Sequence, residues 1–336
     1  MIKEATEIVS GGKNLGKGQM ESVMEEILSG RVETIQIVSF LEALNKKQET
    51  IEELAEAVMV MRRHVTKIHI KGRVVLDTCG TGGDKLGTFN ISTVAAFIAS
   101  GCGITVAKHG NRSVSSLSGS ADILEKLGIN INLAPEKIEA CLEKVGIAFL
   151  FAQNLHPAMK YAAAARKQIA THTIFNLLGP LSNPASATHQ LIGVFDRRWC
   201  APIAEVLAKL GAAHALVVHG NDGLDEITTT TFTIVSQASQ GNVSTYEIKP
   251  EDFGFKRAAL NDLTGGDASL NAQILLDILN GERGAKRDIV VLNAAAAIFA
   301  ADKVKSIKEG IALAQDAIDS KKALEKFELL KKYSNG

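Results

Sequence analysis

Asp77-Thr78-Cys79-Gly80-Thr81-Gly82-Gly83-Asp84 is the stretch whose reading decides the fold. In front of it stands Arg73-Val74-Val75-Leu76, a short apolar run long enough for a buried strand. Behind it, Asn90-Ile91-Ser92-Thr93 opens the apolar helical run Val94-Ala95-Ala96-Phe97-Ile98-Ala99. Strand, glycine-rich turn and helix together gather backbone N–H groups around an anion. Three glycines in four positions let the main chain make close approaches that a Cβ would block. Asp84 is unusual in such a cradle, because a carboxylate repels phosphate; it makes sense if a cation, a metal or Lys85, mediates. On this stretch alone, a plain tight turn of an α/β protein explains the residues equally well.

A second cluster some twenty residues on shifts the balance. Ile104-Thr105-Val106-Ala107 reads as the next parallel strand. It runs into Lys108-His109-Gly110-Asn111-Arg112 and the hydroxyl-rich Ser113-Val114-Ser115-Ser116-Leu117-Ser118-Gly119-Ser120. A helix from Ala121 to Leu127 follows, stopped by Gly128. Two successive strand ends with this chemistry lie side by side at the carboxyl edge of one sheet, where α/β folds bind ligands. A lone Lys-His pair is usually surface and a serine run usually loop, but in this position they form a polyanion site.

Lys+Arg and Asp+Glu both number 37 in 336 residues, so the net charge is zero. That argues against a general nucleic-acid or membrane-surface binder and leaves room for a local basic pocket. Cys79, Cys102, Cys141 and Cys200 have no CxxC spacing, which indicates neither a zinc site nor a disulfide framework. They read as small buried residues of a reduced compartment. The amino terminus has no signal-peptide progression, and the most apolar helical segment, Asn293 to Ala301, is too short to span a membrane. The expectation is a cytoplasmic protein.

Residues 1 to about 66 carry helical spacing throughout: Met20, Val23, Met24, Ile27 and Leu28, then Ile37, Leu41 and Leu44. Thr50 and Glu53 form a capping box for a helix running to about His64. Gly11-Gly12-Lys13-Asn14-Leu15-Gly16-Lys17-Gly18 satisfies GxxxxGK, but Gly18 replaces the required Ser or Thr and no strand precedes it, so it reads as a helix–helix loop. Such a short helical module packs on a partner, either the rest of the chain or another subunit. The helices over 20–28 and 33–45, whose apolar spread exceeds one face, are the expected contact. His69-Ile70-Lys71-Gly72 is the expected linker.

From Val74 onward strands and helices alternate, the signature of a parallel sheet with helices on both faces. Pro135 starts a helix ending near Gly146, Ile147 to Phe151 is a strand, and Pro157 opens a helix over Ala158 to about Ala170. Thr171 to Ala185 reads as a long connection, with 170–186 a candidate second passage into the helical module. Strands follow at Gln190–Phe195 and Ala215–His219, with a helix at Trp199–Leu210 between them. A hairpin comes next, with its turn at Gln240-Gly241-Asn242, and helices finish the chain. The expected domains are 1–66, helical, and 67–336, α/β with a mainly parallel central sheet flanked by helices.

At the exit of the strand over 215–219 stands Gly220-Asn221-Asp222-Gly223-Leu224-Asp225-Glu226. A loop can turn Asp225 and Glu226 toward one cavity, whereas a strand would send them to opposite faces. Sparse carboxylate ligands, with waters and substrate phosphates completing the octahedron, suit Mg²⁺, and Ser92 can add a hydroxyl. A polar turn is the bland alternative, weakened because this loop leaves the same sheet edge as the other two. Arg166 follows Ala162 to Ala165, small residues that leave space beside a guanidinium able to grip a planar carboxylate. His109 is the one histidine of eight that falls within a motif, with packing or main-chain bonding weighed equally against substrate contact.

Taken together, these loops resemble the anthranilate phosphoribosyltransferases of tryptophan biosynthesis, over nearly the whole chain. The resemblance rests on Gly80-Thr81-Gly82-Gly83-Asp84, Asn90-Ile91-Ser92-Thr93, Lys108-His109-Gly110-Asn111-Arg112, Arg166 and Asp225-Glu226, in the family's order and spacing. It implies a small N-terminal helical domain, a larger α/β domain, and a homodimer joined through the helical domains. It further implies anthranilate and 5-phosphoribosyl-1-diphosphate as substrates and Mg²⁺ as cofactor; the balanced charge and the lack of a spanning segment add the expectation of no nucleic-acid or membrane partner. Carried over residue by residue, Gly80, Gly82, Gly83, Asp84, Thr88, Asn90, Ser92, Thr93, Lys108, Asn111, Ser115, Ser116 and Ser120 belong to the phosphoribosyl diphosphate site. Ser92, Asp225 and Glu226 match metal-linked positions. Arg166 matches the anthranilate-carboxylate position, and Gly80, His109 and Asn111 line the region near the amine, with His109 and Asn111 the catalytic candidates. Pyrimidine nucleoside phosphorylases resemble the same architecture, but they carry an additional C-terminal domain and a Lys-His-Ser-type loop where this chain has Gly110 and Asn111. A non-catalytic, nucleic-acid-binding paralogue should have lost the acidic pair and gained a basic face.

Overall fold

The computed structural model describes residues 1–70, 74–83, 86–113, 117–169 and 171–336. Lys71, Gly72, Arg73, Asp84, Lys85, Val114, Ser115, Ser116 and Ala170, named above, lie outside the described residues.

Four helices open the chain: α1 (Ile2–Ser10), α2 (Gln19–Leu28), α3 (Thr34–Lys47) and α4 (Ile51–Arg63). The capping box of α4 forms as its sequence dictates, with the Thr50 side chain accepting from Glu53 N–H at 3.1 Å and Glu53 Oε2 accepting from Thr50 N–H at 2.8 Å. Glu53 is buried and also accepts from Lys47 Nζ at 2.8 Å and from Leu15 N–H at 2.9 Å. The GxxxxGK stretch therefore follows a helix and is pinned by α4, as expected of a helix–helix loop.

The chain then enters the sheet with β1 (Val75–Gly80), α5 (Ile91–Gly101), β2 (Thr105–Gly110), α6 (Ser120–Lys126), α7 (Pro135–Lys144) and β3 (Ile147–Phe151). Three helices interrupt it: α8 (Ala152–Leu155), α9 (Lys160–Gln168) and α10 (Ile174–Leu181), the last with Pro180 inside its final turn. The sheet resumes with β4 (His189–Gly193), α11 (Cys200–Lys209), β5 (His214–Gly220), β6 (Thr233–Ser239) and β7 (Asn242–Ile248). Four helices end the chain: α12 (Ala268–Leu279), α13 (Ala285–Ala300), α14 (Ile307–Asp319) and α15 (Lys322–Asn335).

These elements form two compact units, Met1–Lys67 with Ala152–Pro184, and Ile68–Phe151 with Ala185–Gly336. The second passage through the helical unit is thus 152–184, longer than the 170–186 expected, and it takes α9 with Arg166 out of the α/β unit. The reason lies in α2 and α3. Both pack against α9, and every apolar residue of α2 named above is at most 1 % exposed within the chain. The spread of apolar positions on α2 is therefore satisfied internally. Among the described residues of this unit, Ile35 on α3 is the most exposed large apolar side chain, at 63 %.

The sheet of the larger unit has seven strands in the order β3-β2-β1-β4-β5-β6-β7. The first five run parallel, and β6 and β7 add an antiparallel edge. Buried on both faces, β3, β4 and β5 have no exposed residue, and β3 accordingly reads as an unbroken apolar run. The chain winds outward from β1 through β2 to β3, then returns to the other side of β1 as β4. That reversal makes β1/β4 the switch point, where the crevice outside the strand ends takes ligands. Among the described residues, no helix is long and apolar enough to cross a membrane.

Candidate active site

The glycine stretch proves to be half strand. β1 runs through Asp77-Thr78-Cys79 to Gly80, so the turn proper begins at Thr81. There the chain bends over β4: Thr81 N–H donates to Gly193 O at 2.9 Å, and the Thr81 hydroxyl accepts from Phe195 N–H at 2.9 Å. Gly82 and Gly83 have φ of +65° and +92°, left-handed conformations that glycine adopts without steric cost.

Lys108 and His109, expected on a loop, likewise lie in β2, 4 % and 5 % exposed. Lys108 Nζ donates to Thr78 O at 2.5 Å and to Ser92 Oγ at 3.3 Å, tying two strand ends to the start of α5. Burial pushes its pKa below the ordinary lysine value, opposed by the nearby Asp77 carboxylate. Asp77 is fully buried, and its Oδ1 accepts from His109 N–H at 2.9 Å. Burial, reinforced by the charge of Asp77, raises the Cys79 thiol well above its usual value, which favours the neutral thiol.

The acidic loop after β5 reaches across to these elements. Asp225 Oδ2 accepts from Gly82 N–H at 3.1 Å, and Glu226 Oε1 accepts from Ser92 N–H, in the first turn of α5, at 3.1 Å. A carboxylate there satisfies an amide that the helix itself leaves unpaired. Gly193 makes the crossing sterically feasible, since a Cβ at that position would lie 1.6 Å from Asp225 O. Behind the loop, Asn293 on α13 accepts from Ile227 N–H at 2.9 Å and donates to Ile227 O at 2.8 Å, fixing the residue next to Glu226. Asp225, Glu226 and Ser92 supply oxygen donors only. Among the described residues no cluster of three His, Cys, Asp or Glu forms a complete metal cage. This donor set fits Mg²⁺ completed by water and phosphate oxygens.

The other residues expected at the phosphoribosyl diphosphate site divide. Thr88 makes an isolated bridge with Thr264, and Asn90 precedes α5 with its Nδ2 donating to Ser118 O at 3.4 Å. Thr93 is 1 % exposed, and its hydroxyl has no partner among the described residues, so its side chain belongs to the core behind the cradle. Asn111 is exposed just past β2, with Oδ1 accepting from Arg112 N–H at 2.8 Å, and Ser120 Oγ donates to Asn111 O at 3.4 Å. Arg166 lies in the helical unit on α9, half-buried, its guanidinium 5.8 Å from the centroid of the Phe175 ring. No described carboxylate pairs with it, and burial lowers its pKa from the ordinary arginine value.

Several supporting residues escaped the sequence reading. Asp122 gathers both ends of the serine loop, Oδ2 accepting from Ser113 N–H at 3.2 Å and Gly119 N–H at 2.8 Å while Oδ1 takes Arg112 at 2.9 Å. Its signal was present, an acid three residues after Gly119 at a helix start. Asp77, Asn271 and Asn293 gave no comparable signal, because single polar residues in apolar stretches do not disclose their partners.

Two family models match the chain: a glycosyl transferase family helical bundle domain over residues 3–65, and a glycosyl transferase family a/b domain over 72–324. The anthranilate phosphoribosyltransferase of Petrotoga mobilis is 50 % identical over 96 % of this chain and 94 % of its own. That of Persephonella marina is 49 % identical over the full length of both. The chain belongs to the anthranilate phosphoribosyltransferase family. Among solved structures, the family member from Thermus thermophilus superposes with a TM-score of 0.93 at 38 % identity, covering 99 % of both chains. The enzyme from Saccharomyces cerevisiae in complex with PRPP and Mg does so with a TM-score of 0.90 at 27 % identity, covering 99 % of this chain and 98 % of its own. Family membership agrees with the resemblance drawn from the loops and separates the chain from the nucleoside phosphorylases.

Proposed function

We propose that this chain transfers the 5-phosphoribosyl group of 5-phosphoribosyl-1-diphosphate to the amine of anthranilate, releasing diphosphate, in tryptophan biosynthesis. The observation that carries the reading is the meeting of Asp225 and Glu226 with Gly82 and Ser92 at the switch point of the sheet. As the C1–O bond to diphosphate breaks and the C1–N bond forms, positive charge develops at C1 and negative charge on the leaving group. Catalysis then comes from neutralising the diphosphate and positioning the amine.

Gly80, Gly82, Gly83, Asp84, Thr88, Asn90 and the serine loop with Ser115, Ser116 and Ser120 hold phosphoribosyl diphosphate, with Lys108 and Asn111 on its phosphoribosyl side. Ser92, Asp225 and Glu226 hold Mg²⁺, which when bound supplies charge neutralisation for the diphosphate. Arg166, with no described acidic partner, binds the anthranilate carboxylate through its planar fork. Anthranilate's amine is neutral at pH 7 and needs no strong base to expose its lone pair. The role of His109 is therefore a modest one, orientation or late acceptance of the amine proton. The protein acts as a homodimer in the cytoplasm: exposed Ile35 on α3 supplies an apolar contact, and the four cysteines, with no disulfide among the described residues, suit a reducing compartment.

The test is a product assay with purified chain, anthranilate, phosphoribosyl diphosphate and Mg²⁺. Loss of anthranilate fluorescence with stoichiometric release of diphosphate is expected. Persistent fluorescence from folded protein overturns the reading, and ribosyl transfer driven by free phosphate would favour a phosphorylase instead.

A further inference from the structure

Asn271 sits on the first turn of α12, 3 % exposed, and its side chain amide is the meeting point of three separate segments. Its Nδ2 lies within hydrogen-bond distance of Ser118 Oγ at 2.8 Å, Gly266 O at 3.1 Å and Asn90 Oδ1 at 3.2 Å. Its Oδ1 accepts from Gly266 N–H at 2.8 Å. One side chain thereby touches the residue that leads into α5 and the residue that closes the serine loop. These belong to two different strand exits, β1 and β2. Neither segment depends on Asn271 for its own helix start, because α5 and α6 are capped elsewhere: Glu226 serves Ser92, and Asp122 serves Gly119.

The segment before α12 is built to bring Asn271 there. Asp267 caps the helix, accepting from Leu270 N–H at 2.9 Å. Gly265 N–H donates to Gly87 O at 2.9 Å beside the Thr88–Thr264 bridge. A Cβ on Gly265 would lie 2.6 Å from both Phe89 N and Asn271 Oδ1, so the close approach requires glycine. Segment 264–271 thus lies along 87–90 and reaches Ser118 beyond it.

We infer that Asn271 is a positioning residue that fixes the spacing between the two phosphate loops, so that both engage one phosphoribosyl diphosphate at once. The inference rests on the proposed diphosphate site. A polyanion bridging two loops gains affinity only where the loops are held at the matching distance beforehand; otherwise binding must order them. Asn271 supplies that preorganisation without touching the reacting atoms. Asparagine suits the task because it donates and accepts in a fixed plane, whereas a carboxylate would bring negative charge toward the polyanion.

The experiment is calorimetric titration of Mg²⁺–phosphoribosyl diphosphate into the wild type, Asn271→Ala, Ser118→Ala and the double variant, with KM for anthranilate measured on each. Each single substitution should weaken phosphoribosyl diphosphate binding about tenfold, the effect of one or two lost hydrogen bonds. The double variant should be no weaker than the worse single, since both remove one shared link. KM for anthranilate at saturating phosphoribosyl diphosphate should stay within about twofold of wild type. Hydrogen exchange supplies a second readout: Ser118→Ala should speed amide exchange over 86–90, on the other loop. It keeps the test open if Asn271→Ala does not fold. Multiplying losses in the double variant, a lowered thermal midpoint with unchanged binding, or exchange confined to the serine loop would each overturn the inference. Wild type that binds no phosphoribosyl diphosphate overturns the functional reading itself, and the inference with it.

Discussion

At the amino ends of β4 and β5, His189, His214 and Asp302 hold one another; at the carboxyl ends of β1 and β5, Asp225 and Glu226 hold main-chain amides of other elements. The first cluster is a closed chain of side chains. The Thr188 hydroxyl meets His189 Nδ1 at 2.8 Å, and His189 Nε2 meets Asp302 Oδ2 at 3.2 Å. Asp302 Oδ1 meets His214 Nδ1 at 2.7 Å, and His214 Nε2 meets Gln237 Nε2 at 2.9 Å. Gln237 Oε1 then accepts from Tyr246 OH at 2.9 Å. One set of neutral tautomers gives every pair a donor and an acceptor, so both nitrogens of each ring are used internally. At the carboxyl end, by contrast, Gly82 and Ser92 N–H groups face carboxylates, in loops whose glycines and helix starts are suited to anions. Titratable residues gather at both ends of the sheet; among the described residues, the carboxyl end has the main-chain donors and buried lysine that suit the proposed diphosphate site.

Neutralising the acidic pair should have the largest effect. Asp225→Asn with Glu226→Gln should cost on the order of a thousandfold in Mg²⁺-dependent turnover, with the thermal midpoint close to wild type. Near-normal rates across a Mg²⁺ titration would remove these residues from the metal. A smaller effect is expected in the helical unit. Arg166→Ala gives up a charge-assisted pair of about 1.5–3 kcal/mol, roughly a tenfold to hundredfold rise in KM for anthranilate with little change for phosphoribosyl diphosphate. Arg166→Lys should recover only part of it, because an ammonium lacks the planar fork. Calorimetry showing the phosphoribosyl diphosphate site weakened instead would reverse the assignment.

The amino end should respond in stability alone. Asp302→Asn breaks a half-exposed link and should lower stability by about 1 kcal/mol in chemical denaturation, leaving kcat and both KM values unchanged. A tenfold activity loss would show that the two ends are not separable. The smallest effect is on pH dependence. Burial holds His189 below its ordinary imidazole value, while Asp302 pulls the other way. A lowered folded pKa means its contribution is complete above about pH 6.5 and is lost as pH falls through the folded value. His156 in the helical unit, pushed down to about 4 by burial, adds acid sensitivity of the same sign. Because Asp302→Asn removes the opposing pull on His189, thermal midpoints of that variant should fall more steeply than wild type between pH 7 and 5. Parallel curves would detach Asp302 from His189.

What could be read from sequence follows the same division. Ile147–Phe151 is a strand at the residues expected, because a fully buried parallel strand is an unbroken apolar run. The glycine, Lys-His and Asp-Glu motifs stood out because their residue types are unusual beside buried strands, and the structure brings Gly82, Ser92, Lys108, Asp225 and Glu226 to one sheet edge. Boundaries were less so: Lys108 and His109 look like loop residues, and only the pairing of β2 with β3 shows them to be strand. The second helical passage was read too short because α9 and α10 carry ordinary helix composition, and nothing local tells which unit a helix packs into. Asn271, Asn293 and the His189–Asp302–His214 chain were invisible for a related reason, since their meaning lies in partners far away in sequence.

The most direct measurement is hydrogen–deuterium exchange of the intact protein with and without saturating phosphoribosyl diphosphate and Mg²⁺. New protection is expected in peptides spanning 80–92, 108–120 and 221–227, all at the carboxyl end of the sheet. Peptides covering 186–190, 212–215 and 300–304, at the amino end, should be unchanged. Protection at the amino end with none at the three loops would contradict the proposed diphosphate site.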